Sequence, residues 1–232
     1  MSNILKEDWE KLLEAVAEVQ EWFPEGMAFI GGIAVFAHVS ASKGSGYATM
    51  SHDADFVIDK AGLGDLRDLE EMTVNRRLGK QQFVKNGFEF DVYVEGQTDL
   101  LVPVDEILAW ADIRHNLRVA CPEHLLVLKM KAFENRKGTS KGQKDEDDIL
   151  RLVLFTQEWR VQPLARLDAA AVSEIARIVK SDALLRMVNG NAHMARQIRT
   201  VAEHSFATLR KAHAETPDLA CTGKSSDHCH EP

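Results

Sequence analysis

A short stretch in the first quarter of the chain combines an apolar segment, two adjacent glycines and a pair of acids. Residues 29–36 (Phe-Ile-Gly-Gly-Ile-Ala-Val-Phe) predict a strand, a Gly-Gly turn and a helix, and residues 52–58 predict a second strand. Asp53 and Asp55 are two residues apart, so on a strand their side chains share one face. Two carboxylates on one face repel each other unless a cation lies between them, and hard oxygen ligands suit Mg²⁺ or Mn²⁺.

The paired glycines have a separate chemical meaning. Gly31 and Gly32 precede a helix, where glycine lets backbone N–H groups approach a phosphate closely. A phosphate cradle followed by a metal-binding acid pair predicts chemistry on a nucleoside triphosphate.

A third acid lies on a predicted hairpin over residues 82–95 that turns at Asn86-Gly87. Its second arm alternates apolar and polar residues, and Asp91 is on the polar face. If this arm lies beside the strand of Asp53, the three acids can hold two divalent cations. Asp91 could also act as the base for an attacking hydroxyl.

Composition limits the remaining function classes. The 232 residues carry a formal net charge of −8, so the whole molecule is not a basic nucleic-acid coat. Basic residues are concentrated at 129–144 and 177–211, so a polyanion could bind locally. Three cysteines imply no disulfide framework, and a cytoplasmic location is expected. We expect neither a signal peptide nor a membrane partner, because no apolar run approaches the roughly 20 residues that span a bilayer.

The periodicity predicts an α/β (α+β) protein: a small mixed sheet that carries the acids, and a helical C-terminal region that closes the cleft. We expect an N-terminal helix packed on the core (1–26), the core itself (27–120), the helical region (121–214) and a disordered tail (215–232). Further helices are predicted at 63–77 and 122–136, strands at 100–104 and 117–120, a flexible loop at 137–143, and a helix that opens at Lys144.

The order of Gly31-Gly32, Asp53-x-Asp55 and Asp91 resembles the DNA polymerase β-type nucleotidyltransferase superfamily. Residues 121–149 add Lys129-x-x-Ala, Arg136 and Lys144-Asp145-x-x-Asp148. This pattern resembles the signature of the abortive-infection nucleotidyltransferases, which are the toxins of type IV toxin–antitoxin pairs.

The resemblance implies that Gly31 and Gly32 hold the triphosphate, that Asp53 and Asp55 hold metal, that Lys129 contacts phosphate and that Asp145 lies near the site. A cation such as Lys129 is also needed where negative charge builds on the leaving group. Ser51 and Lys131 are further candidates for nucleotide binding, although Lys131 could equally lie on a solvated helix face. Asp145 could instead cap a helix, and Arg136 could pair with Asp148.

We therefore predict an Mg²⁺-dependent nucleotidyltransferase, with ATP or another NTP as substrate and pyrophosphate as product. The resemblance implies a tRNA 3′ end as acceptor and a toxin role with a separate antitoxin protein. Three alternatives stay open: transfer of AMP to a protein, a non-enzymatic nucleotide-binding or antitoxin module, and an HD-type phosphohydrolase that uses His38 and His52-Asp53.

Two groups of residues outside this constellation have weaker patterns. The basic C-terminal helices could form an RNA groove or merely a charged outer face; their cations are Arg177, Lys180, Arg186, Arg196, Arg199, Arg210 and Lys211. The tail could bind zinc through Cys221, His228, Cys229 and His230, but the spacing matches no closed zinc site.

Overall fold

The computed structural model describes residues 3–51, 53–75 and 79–216, with only the backbone for residues 3–8. His52 and the four candidate zinc ligands of the tail lie outside these ranges. Within them, the strands are β1 (Met27–Ile30), β2 (Asp53–Ile58), β3 (Thr73–Asn75), β4 (Lys80–Lys85), β5 (Phe88–Val94), β6 (Asp112–Arg114) and β7 (Leu117–Val119). The helices are α1 (Asn3–Trp22), α2 (Gly31–Ser40), α3 (Lys60–Leu69), α4 (Val104–Ala109), α5 (Pro122–Arg136), α6 (Ser140–Phe155), α7 (Val161–Leu164), α8 (Ala169–Val179), α9 (Ala183–Met187) and α10 (Ala192–Ala214).

The described strands form one mixed sheet in the order β3-β4-β5-β2-β1-β7-β6. The central strand β2 pairs antiparallel with β1 and parallel with β5, and this register places Asp55 beside Asp91. The predicted hairpin is confirmed: β4 and β5 pair antiparallel, and Asn86 and Gly87 at the turn have φ of 51° and 84°. Such left-handed residues match the twist of a two-residue hairpin. The predicted fold class, a small mixed sheet with a helical C-terminal region, is confirmed.

The core lies between the sheet and the helices. Alternate residues of β5, such as Phe90 and Val92, are buried, and so are Leu12 and Val16 of α1. Helices α5 and α6 pack on each other and, through α2, on the sheet. This arrangement holds the N-terminus of α2 and one face of α5 over the acid-bearing end of β2. None of the described helices combines the length and the hydrophobicity needed to cross a bilayer.

Three local predictions were wrong. The helix predicted at 63–77 ends at Leu69, because residues 73–75 pair as β3 with the edge of β4. The strand predicted at 100–104 is absent, and Val104 instead begins α4 after Pro103, whose fixed φ suits the start of a helix.

The predicted flexible loop at 137–143 is largely helix, since α6 begins at Ser140. Thr139 caps it by accepting a hydrogen bond from the Gly142 backbone N–H at 3.0 Å. Gly142 packs against the backbone of Arg136, where any Cβ would collide with the Arg136 carbonyl. This cap and this close contact allow only three residues to separate α5 from α6, and α6 therefore starts one turn earlier than predicted.

Candidate functional site

The two glycines are the first residues of α2, rather than a turn before a helix that starts at Ile33. Gly31 has φ of +65°, a left-handed conformation that favours glycine, and a Cβ there would collide with the Asp55 carboxylate. A Cβ on Gly32 would lie 2.7 Å from the Ser51 hydroxyl oxygen. The N-cap residue Ile30 gives no side-chain hydrogen bond, so this helix end offers backbone donors beside the acids.

The three predicted acids lie together on one wall of a cleft of about 640 Å³. Asp53 and Asp55 are on the same face of β2, and Asp91 is the neighbour of Asp55 on β5. Burial raises the pKa of Asp55 to about 7, and the charges of Asp53 and Asp91 add to the effect. The metal-free site therefore has an unfavourable accumulation of negative charge, which a divalent cation would relieve.

Asp53 differs from Asp55 in its surroundings. Burial tends to raise the pKa of Asp53, but a hydrogen bond from Ser51 and the charge of Lys144 outweigh burial and lower it below its usual value. The Ser51 hydroxyl donates to Asp53 Oδ1 at 2.7 Å. The lowered pKa favours the ionised form of Asp53, which is the form that can act as an oxygen ligand.

Asp91 is already engaged on both oxygens by residues that the sequence interpretation missed. Lys80 forms an ion pair with Oδ2, and the Gln82 amide donates to Oδ1 at 2.6 Å. Among the described residues, no three His, Cys, Asp or Glu side chains are arranged to hold a metal ion. The hard oxygen pair of Asp53 and Asp55 could hold one Mg²⁺ or Mn²⁺ ion, whereas at Asp91 a metal ion would compete with the Lys80 ammonium.

The opposite wall of the cleft carries Lys129 from α5. Its ammonium lies 2.8 Å from Asp148 Oδ2 and 3.3 Å from Asp145 Oδ1 on α6. Burial opposes the charged form of Lys129, but Asp148, Asp145 and Asp55 outweigh it and raise its pKa. Lys129 is therefore a permanent buried cation facing the acids of the sheet.

Asp145 lies in the lining of the cleft, and the alternative prediction that it caps a helix is wrong. It is buried in the second turn of α6, so it is not a helix cap, and its Oδ2 lies 3.3 Å from Arg136 Nε. The predicted pair between Arg136 and Asp148 is wrong, because Asp148 instead pairs with Lys129 and, at 3.0 Å, with Arg151.

Exposed cations extend this basic wall to the mouth of the cleft. Lys131 lines it and is half exposed, with Glu134 3.8 Å away, and Lys141 and Arg136 are close by. Lys144 was not predicted as a site residue, yet its ammonium lies 3.5 Å from the Ser51 hydroxyl and close to the Cβ position of Gly32. The cleft therefore has an acidic sheet wall, a basic helical wall and a helix N-terminus between them.

The sequence did contain a signal for some missed residues. A hairpin that turns at residues 86–87 places Gln82 opposite Asp91, as the structure shows. The same alternation puts Tyr93 on the face of Asp91, where its hydroxyl hydrogen-bonds Asp55 and burial raises its pKa. No local pattern indicates that Lys144 of α6 would lie near Ser51.

Several other candidates lie away from the cleft or are engaged elsewhere. The ring of His38 contacts the Ala120 carbonyl through Nε2 at 2.9 Å, and burial lowers its pKa, so it is a neutral structural side chain. This removes one ligand from the phosphohydrolase hypothesis.

Two cations of the predicted RNA groove on the C-terminal helices already have acidic partners. Arg177 pairs with Glu174, and Arg186 pairs with residues of α6.

Two solved structures share this fold over nearly their whole length. The protein JHP933 from Helicobacter pylori is 14% identical, with a TM-score of 0.50 over 92% of this chain and 97% of that one. A candidate nucleotidyltransferase from H. pylori is 15% identical, with a TM-score of 0.50 over 91% of this chain and 98% of that one. No protein-family model and no curated protein matches the sequence. At this identity the likeness shows the fold alone.

Proposed function

We propose that this chain is a divalent-metal-dependent nucleotidyltransferase, which moves a nucleoside monophosphate from an NTP to an acceptor hydroxyl. The observation that carries the proposal is the cleft itself: Asp53 and Asp55 face Lys129 across it, and the N-terminus of α2 lies beside the acids. All three features suit a triphosphate, because it carries several negative charges and binds together with its own metal ion.

Each element of the cleft has a defined task in this proposal. Asp53 and Asp55 would hold an Mg²⁺ or Mn²⁺ ion. When bound, such an ion acts as a Lewis acid and neutralises part of the negative charge on the phosphates. The backbone N–H groups at Gly31 and Gly32 donate to phosphate oxygens. The Lys144 ammonium, 3.5 Å from the Ser51 hydroxyl, adds a positive charge near these N–H groups.

Lys129 contributes electrostatic stabilisation from a fixed position. Its pairs with Asp145 and Asp148 hold the ammonium in one orientation before substrate arrives. A preorganised cation stabilises the charge that develops on the leaving pyrophosphate without a reorganisation cost. In the reaction the acceptor oxygen bonds to the α-phosphorus, the bond from that phosphorus to the bridging oxygen breaks, and the hydroxyl proton passes to a carboxylate of the acid cluster or to water.

The acceptor that we propose is an RNA, specifically a tRNA 3′ end. The support is the resemblance of the Lys129, Arg136 and Lys144-Asp145 pattern to toxin nucleotidyltransferases, together with the exposed cations at the mouth of the cleft. Lys131, Arg136 and Lys141 could contact a phosphate backbone there. The same resemblance supports a toxin role with a cognate antitoxin protein.

The test is a transfer assay with the full chain, Mg²⁺, each α-³²P-labelled NTP in turn, and total tRNA. Label on RNA with the wild type, and none with Asp55→Asn, would support the proposal and identify the base. The matched control is Asp65→Asn, which removes one exposed carboxylate from α3 and should transfer label normally.

Other outcomes distinguish the alternatives. Label on protein alone would favour transfer of AMP to a side chain, and phosphate release without an acceptor would favour a hydrolase. No label with any NTP from a folded chain would overturn the proposal in favour of a binding module.

A further inference from the structure

The ion pair at Asp91 is the feature of the cleft that the proposed function does not use. Lys80 and Gln82 both come from β4, and the hairpin register fixes Gln82 opposite Asp91. The side chains of Lys80 and Asp91 are only 12% and 14% exposed. A charge pair that is largely removed from water is costly to break, because each partner would be left buried and unpaired.

Lys80 acts on a second acid as well. Its charge partly opposes the rise in the pKa of Asp55, so the ammonium lies within electrostatic range of both Asp55 and Asp91. These two acids are in register on adjacent parallel strands and share the cleft face. Neighbouring strands lie about 5 Å apart, so a cation between them could interact with a carboxylate from each strand. The ammonium is therefore beside the position that a bridging metal would need.

A three-acid site with two metals requires Asp91 to coordinate a metal ion, but the Lys80 ammonium and the Gln82 amide each already occupy an acceptor position on its two oxygens. A divalent ion at that position would have to displace Lys80 and then remain next to its repelled charge. Asp53 and Asp55 carry no such competing ion pair in the described part of the chain and stay open to a cation.

We propose that the cleft holds a single divalent cation, on Asp53 and Asp55, and that Lys80 is a built-in cation replacing a second metal beside Asp91. This inference rests on the proposed function. In two-metal sites, the second metal lowers the pKa of the attacking hydroxyl. The Lys80 ammonium lines the cleft and provides positive charge beside Asp91, where that metal would lie. Lys80 is thus a further site residue, and Asp91 positions it.

The test counts bound Mn²⁺ by electron paramagnetic resonance, with the metal alone added to the full chain up to millimolar concentration. The wild type should bind one ion in the cleft, and Asp91→Asn should still bind one with similar affinity. The double variant Asp53→Asn/Asp55→Asn should lose it. Lys80→Met should bind two ions whose spectra broaden by mutual coupling, whereas Lys180→Met, which removes an exposed lysine after α8, should behave as wild type.

Anomalous scattering from crystals soaked in MnCl₂ would locate the same ions and their ligands. Two coupled ions in the wild type, one of them lost in Asp91→Asn, would overturn the single-metal proposal while leaving the proposed function in place. A single bound ion in Lys80→Met would also overturn the single-metal proposal. If Lys80→Met does not fold, the number of ions bound by Asp91→Asn decides the question instead. No bound ion in the wild type would overturn both proposals, and failed label transfer with one bound ion would count only against the proposed function.

Discussion

Gly31 lies so close to Asp55 that the first residue of α2 has no room for a side chain. A Cβ atom on residue 31 would overlap the Asp55 carboxylate, and the backbone of Gly31 has φ of +65°. The helix end proposed to bind phosphate and the acid proposed to hold metal are therefore in direct contact. Tertiary packing, which brings β1 beside β2 in an antiparallel pair, creates this contact.

Gly31→Ala should damage both stability and the site. The left-handed backbone and the collision with Asp55 together should lower the free energy of unfolding by about 2–4 kcal/mol. Urea unfolding measures this loss. The matched control is Gly87→Ala at φ of +84°, where nothing lies near the Cβ, so only the backbone strain of about 1 kcal/mol applies. Equal losses in the two variants would show that the contact with Asp55 is unimportant.

The stability of the metal-free chain should depend on pH through Asp55. Its folded pKa of about 7 is above the usual value of 3.8, so its stabilising contribution is full below about pH 4 and is lost as the pH rises through 7. The loss between pH 5 and pH 8 should be at most about 3 kcal/mol. Asp55→Asn should remove this part of the pH dependence in EDTA.

Urea unfolding at pH 5 and pH 8 measures the effect, with Asp65→Asn as the control that keeps the wild-type profile. Mg²⁺ added to the wild type at pH 8 should recover stability, because a ligand that binds only the folded state stabilises it. If Asp55→Asn kept the wild-type dependence of stability on pH, the Asp55 carboxyl would not be the titrating group.

Lys129→Met should destabilise the chain strongly, because it leaves Asp145 and Asp148 buried without their shared cation. We expect a loss of about 3 kcal/mol in the free energy of unfolding and loss of label transfer. Lys131→Met is the comparison on the same helix. Lys131 is half exposed, so its removal should change stability by less than about 0.5 kcal/mol. Thermal unfolding of the two variants side by side would test the contrast, and similar melting temperatures would contradict it.

Lys144→Met should weaken triphosphate binding while leaving the fold unchanged. Lys144 is exposed and its ammonium lies near Ser51 and Gly32, so its loss removes a charge from the proposed phosphate site. We expect KM for the NTP to rise about tenfold, equivalent to about 1.4 kcal/mol. Steady-state transfer assays measure KM, with Lys180→Met as the control. An unchanged KM would place the triphosphate elsewhere in the cleft.

Local patterns in the sequence were sufficient for much of the fold. The glycine turn at 86–87 predicted the hairpin, Pro122 predicted the start of α5, and the spacing of Asp53 and Asp55 predicted that they share a face. Each of these conclusions depends on residues close together in the chain, where turn geometry and the two-residue period of a strand apply directly.

The errors occurred where distant segments determine structure. Residues 73–75 have a helical pattern but pair with β4, since an unpaired sheet edge gains a ladder of hydrogen bonds from them. The start of α6 depends on the packing of Gly142 against α5, which the composition of residues 137–143 does not reveal.

The sequence by itself determined which residue types are available for chemistry and which of them share one face of a strand. Only the tertiary structure decided their electrostatic environment: that Asp91 is adjacent to Asp55, that Lys80 neutralises Asp91, and that Lys129 and Lys144 face the acids. The physical reason is the separation along the chain over which each effect acts. Backbone periodicity acts over a few residues, whereas burial and charge pairing act between segments that are far apart in the chain and meet only when it folds.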